Sequence, residues 1–119
     1  MSFKIAIASS DNQTINEHFG RARHFLIFDL VDSRFTLAEV REIASPHCGG
    51  VQHDATAVEN IVELLSDCRL VLASQIGPRV IELLRIKEIK GYAVSGLIDQ
   101  TLARLASSYE VKNYLKNLE

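Results

Sequence analysis

Between Ile15 and Phe25 the chain gathers two imidazoles (His18, His24), two guanidiniums (Arg21, Arg23) and one glycine, Gly20. Neutral imidazole ligates borderline metals at pH 7 without first losing a proton. Guanidinium forks suit carboxylated or polyvalent anions. A loop carrying both has the chemistry for a ligand that is metallic and anionic at once. The plainer alternative is a polar loop that Phe19 and Phe25 anchor to the core. In that reading His24, which opens an apolar stretch, is structural.

A second group of donors, His47, Cys48 and His53, lies in the glycine-containing stretch 44–53. Closed zinc sites pair Cys or His at short spacing and use four ligands, a pattern missing here. An open site, in which one or two side chains hold a cluster that brings its own sulfides, suits a lone thiol better. A flexible turn with an incidental thiol accounts for Cys48-Gly49-Gly50 equally well. Cys48 beside His47 or His53 also has the elements of a nucleophile–base pair, though adjacency in sequence is poor support for one. Cys68 differs, because it closes an amphipathic helix before an apolar strand and reads as a small buried hydrophobe. The third feature is Gly77-Pro78, which opens a helix whose N–H groups and positive dipole end favour an anion.

The elements that must position these groups form one domain of 119 residues. Hydrophobic residues at 47% and charged ones at 24% are ordinary for a soluble globular chain. A net charge of −2 argues against a general nucleic-acid binder. No apolar run is long enough to span a membrane. The start shows no secretory pattern, and two cysteines make no disulfide framework, so a cytoplasmic protein with free thiols is expected.

Residues 3–8 read as a buried strand with small residues on one face, followed by a polar turn at 9–14. Residues 24–31 are nearly continuously apolar, as in a central strand. The two-residue link Asp32-Ser33 implies an antiparallel hairpin into an edge strand, 35–43, which leaves the oligomeric state open. Its alternation puts Phe35, Leu37, Arg41 and Ile43 on one side and Thr36, Ala38, Val40 and Glu42 on the other.

Asp54 then caps a helix with Val58, Ile61, Val62 and Leu65 on one face. Residues 69–73 are a short buried strand. Pro78 takes the first position of a helix carrying Val80, Ile81, Leu83, Leu84 and Ile86, which Gly91 ends. A last strand covers 92–94, a helix 97–107, and Ser108 caps a terminal helix with Val111, Tyr114, Leu115 and Leu118.

The order β-β-β-α-β-α-β-α-α, with right-handed crossovers, gives a three-layer α/β/α fold. Its mixed five-stranded sheet has strand two antiparallel, which is the ribonuclease-H-like arrangement. Ligand crevices in such sheets lie beyond the carboxyl ends of the parallel strands, so loops 9–23, 74–78 and 95–98 share a rim.

Enzymatic readings find little support. A two-metal nuclease needs carboxylates converging on the first and fourth strands, and neither strand has one. The turn Ser9-Ser10-Asp11-Asn12 lacks the glycine of a phosphate loop. No Gly-x-Ser-x-Gly elbow or Walker loop is present.

Lys4-Ile5-Ala6-Ile7-Ala8-Ser9, His18-Phe19-Gly20-Arg21-Ala22, Phe25-Leu26-Ile27-Phe28, Asp67-Cys68 and Ile76-Gly77-Pro78 together resemble the dinitrogenase iron–molybdenum cofactor biosynthesis family. Its members include proteins of the NifX and NafY type and the C-terminal domain of the NifB type. The resemblance covers roughly residues 3–106. It implies a ribonuclease-H-like fold without nuclease activity and a non-enzymatic carrier of an iron–sulfur-based cofactor or its precursor. Cofactor-assembly proteins are the partners it implies.

On that analogy His18 is the position that touches the cluster, and Cys48 is similar to the cysteine-loop residue of NifB-type members. The expected contacts are His18, Cys48, His47, Arg21, Arg23 and Gly77, with His18, Cys48 and His53 as metal donors. Without a radical-enzyme domain the chain is not expected to synthesise the cofactor. The alternative is a metal-free module for a small anionic ligand or a protein partner.

Overall fold

The computed structural model describes residues 3–31, 34–43 and 55–107. Five strands form the main sheet: β1 (Lys4–Ala8), β3 (His24–Val31), β4 (Arg34–Glu42), β5 (Leu70–Ala73) and β6 (Lys90–Ala93), in the order β4-β3-β1-β5-β6. β3 runs antiparallel to both β1 and β4, while β5 and β6 run parallel to β1. The remaining elements are β2 (Thr14–Ile15), β7 (Gly96–Leu97), and helices α1 (Ala55–Leu64), α2 (Pro78–Ile86) and α3 (Ile98–Ala106). β2 and β7 pair antiparallel as a separate ribbon.

The pleat of β1 sorts its side chains between two cores. Ala6 and Ala8 join Phe25, Ile27 and Val71 under Ile61, Val62 and Leu65 around α1 and under Leu84 of α2. Ile5 and Ile7 join Leu26, Leu70 and Leu72 under Ile98 and Leu102 of α3. Helices therefore cover both faces of a mixed sheet. That is why all four residues of β5 are buried and why its sequence is apolar throughout.

Four local readings need correction. The register between β3 and β4 shifts beside Ile27 and Phe28, so Ala38 is an extra residue, and the faces of β4 exchange there. Phe35 packs with the α3 core whereas Ile43 packs with the α1/α2 core, so strict alternation over this strand fails. Ile86 is 70% exposed and belongs to no core.

Gly91 does not end α2, because Glu88 does so in a left-handed conformation (φ 64), with the Ile89 amide bonded back to the Leu84 carbonyl. Gly91 lies inside β6, where an added Cβ would sit 2.9 Å from Leu84 Cδ1. Finally, Thr14, read as part of a turn, and Leu97, read as the start of a helix, pair with one another in the ribbon of β2 and β7. The Asp32-Ser33 link, the cap at Asp54 and the terminal helix with Val111, Tyr114, Leu115 and Leu118 lie outside the described residues.

Candidate functional site

The segment after β1 is held by its own polar side chains. Asp11 accepts hydrogen bonds from the amides of Gln13 (2.9 Å) and Thr14 (2.8 Å) and from the hydroxyls of Thr14 and Ser9. Those donors, the Gln13 amide first, depress its pKa to about 2. Ser9, only 1% exposed, accepts from the Asn12 amide, and Asn12 takes a left-handed φ of 63°. The Gln13 and Thr14 amides are thus occupied by a carboxylate of the chain. Asn12 Oδ1 in turn lies 3.3 Å from His24 Nε2.

Two backbone zippers then draw the rim loops together. Thr14 and Ile15 pair with Leu97 and Gly96, and the Ile98 amide donates to the Gln13 carbonyl at 2.9 Å. Next, the Ser74 amide donates to the Glu17 carbonyl and the Phe19 amide to the Gln75 carbonyl, both at 2.9 Å, which makes His18–Gln75 a parallel bridge. Phe19 is 1% exposed and packs its ring 5.5 Å from that of Phe25. With this anchor buried and its own backbone extended (φ −75, ψ 146), His18 sits half-exposed on the rim. A single 3-10 turn, Phe19–Arg21, follows, and Ala22 turns back into the core.

Gly77 caps α2 with extended backbone and no side-chain cap, and Pro78 takes the first turn as its fixed φ allows. Gln75, which bridges to His18, stands just before Gly77 and the start of α2. Arg21 and Arg23 are exposed and make no ion pair with a described residue. The Arg23 carbonyl accepts from the Ile43 amide at 2.9 Å, so β4 also ends at this rim. The stretch with His47, Cys48 and His53 lies outside the described residues. Among the described residues no three His, Cys, Asp or Glu side chains gather as an ion site.

Arg41 forks onto Asp67 through Nη1 and Nη2 (2.7 and 2.9 Å) and also donates to the Leu64 carbonyl at 2.9 Å. The clasp ties the edge strand β4 to the end of α1. It holds the Asp67 carboxyl below its ordinary range. In the sequence Asp67 stands out only as part of a motif with Cys68, and nothing there marks its partner 26 residues away. Cys68 is buried, and burial first, then the adjacent Asp67 carboxylate, pushes its thiol up to about 12.

A family model described as "Dinitrogenase iron-molybdenum cofactor" matches residues 1–108. A FeMo cofactor biosynthesis protein NifB from Frankia alni is 30% identical over 106 residues, which cover 87% of this chain and 21% of that protein. The chain therefore spans only a fraction of that relative. Protein NifX from Rhodobacter capsulatus is 28% identical over 110 residues, covering 86% of this chain and 69% of the relative. The apo form of the orange protein from Desulfovibrio gigas shares the fold, with a TM-score of 0.69 at 20% identity over 90% of this chain and 89% of that one. No helix among the described residues is long and apolar enough to cross a membrane.

Proposed function

The chain belongs to the dinitrogenase iron–molybdenum cofactor family, and from that premise we propose that it binds and carries an iron–sulfur-based metal cofactor or its precursor without transforming it. The observation that supports this reading is the His18–Gln75 bridge, which pairs the main chain at His18 with the segment that leads into α2. A half-exposed imidazole on a rigid rim supplies a ligand to an exposed iron. The positive end of α2 and the Arg21 and Arg23 guanidiniums offset the negative charge of a sulfide-rich cargo. Cys48 supplies thiolate as a second ligand, with His47 and His53 in the same stretch as further donors. The strand order and the antiparallel β3 support the ribonuclease-H-like reading of the fold. The carrier works in the cytoplasm, where free thiols persist, and exchanges its cargo with cofactor-assembly proteins.

The test is an anaerobic titration with isolated iron–molybdenum cofactor, followed by absorption and by metal analysis after gel filtration. The parent protein should retain the cluster, and the His18→Ala and Cys48→Ala variants should lose it. Variants that bind as the parent does would remove these side chains as ligands. A parent that retains no metal, yet is stabilised by a small anion after chelation, would favour the metal-free module instead.

A further inference from the structure

We propose that residues 108–119 fold back onto the α3 face of the sheet as a helix and cover the apolar strip formed by Leu37 and Val40 of β4. Both side chains are about half open, at 54% and 47% exposure. Leu37 stands opposite Phe28 and Val40 opposite Leu26, and those two partners pack in the core beneath α3. Cross-strand partners share a face, so the strip is on the α3 side.

One helix is too narrow for that side. Five strands at about 4.8 Å spacing make a face roughly 19 Å wide, and a helix with its side chains is about 10 Å across. α1 and α2 share the opposite face, whereas α3 is the only described helix on this one.

α3 starts at the rim, where the Ile98 amide bonds to the Gln13 carbonyl, and runs back from there along the sheet. It comes close to β4. Among the β4 residues on this side, Phe35 packs with the core under α3, while Leu37 and Val40 stay open. Phe35 pairs with Leu30, whose amide bonds to the Phe3 carbonyl, at the end of the sheet remote from the rim. α3 therefore meets β4 with its last turn, and residues 108–119 start beside the open strip.

Their sequence suits that position. Val111, Tyr114, Leu115 and Leu118 recur at the spacing of one helical face and would extend about 10 Å along it. Leu37 to Val40 likewise extends about 10 Å along a strand. Stretch 44–54, also outside the described residues, has Val51 as its one branched aliphatic side chain and leads to α1 on the opposite face.

The experiment uses the full chain. Nuclear Overhauser contacts are measured between the Tyr114 ring or the Leu115 and Leu118 methyls and the methyls of Leu37 and Val40. Thermal unfolding is then followed for Leu37→Thr, Leu115→Gln and the double variant, with Val31→Thr as the control. Val31 is 49% exposed but alternates with Ile27 onto the face of α1 and α2. The contacts should be present in the parent. Leu37→Thr and Leu115→Gln should each lower the melting temperature by roughly 4 °C or more, the pair by little more than either one, and Val31→Thr by much less. Additive losses, a Leu37→Thr shift no larger than the control's, or contacts of Tyr114 elsewhere would overturn the proposal. Contacts seen only between differently labelled copies would overturn it too, and would assign the strip to a second copy of this chain.

Discussion

The Phe19 amide donates to the Gln75 carbonyl at 2.9 Å, and this one bond brings two distant motifs onto the same rim. Phe19 follows His18 directly, and Gln75 lies two residues before Gly77. Their placement is set by main-chain pairing and by the buried Phe19 ring.

His18→Ala should separate binding from folding. The residue is half-exposed and its backbone does the structural work, so urea denaturation should show a change within about 0.5 kcal/mol. Retention of isolated iron–molybdenum cofactor in the anaerobic titration should fall by roughly tenfold or more.

Asp11 gives the loop an acid limit. Its folded pKa of about 2 is below the ordinary value of 3.8, so the ionised carboxylate favours the folded state. That contribution is present above pH 3.8 and is lost as pH falls from there through about 2. In an acid titration followed by circular dichroism, Asp11→Asn should show a weaker dependence on pH across this window than the parent. An unchanged profile would remove Asp11 as the hub of the loop.

Arg41→Ala should destabilise the protein by about 1–2 kcal/mol, because it breaks a bidentate pair and leaves the Leu64 carbonyl without this donor. The partly exposed Asp67 keeps the effect at that level. Arg41→Lys should recover only part of the loss, since an ammonium cannot make the fork. Urea denaturation measures this.

Cys68 should resist alkylation in the native protein. Its thiol is buried and pushed up to about 12, so almost no thiolate forms at neutral pH. Iodoacetamide at about pH 8, followed by peptide mass analysis, should leave Cys68 unlabelled until denaturant is added. Labelling at a comparable rate in the folded state would mean that the helix end opens readily.

The readable parts of the sequence were those where one residue's surroundings impose its type. Residues 25–27 and 70–73 are apolar because helices cover both faces of their sheet. Pro78 marks a helix start because its ring presets φ, and Cys68 reads as core because it stands between an amphipathic helix and an apolar strand. His18 and Gly77 are chemically suitable by residue type and motif. Only the rule that such loops share a rim links them in the sequence.

What the tertiary structure decided is carried by atoms that every residue possesses. The pairing of Glu17 and Phe19 with Ser74 and Gln75 is amide to carbonyl, so no side chain announces it. The extra residue Ala38 exchanges the faces of β4 because register depends on the neighbouring strand, which alternation within one strand does not register. Gly91 reads as a helix breaker in sequence and proves to be a packing glycine, because Leu84 approaches it only in the folded sheet. Residue type determined which groups could bind a metal cluster, and long-range backbone contact decided which of them stand together.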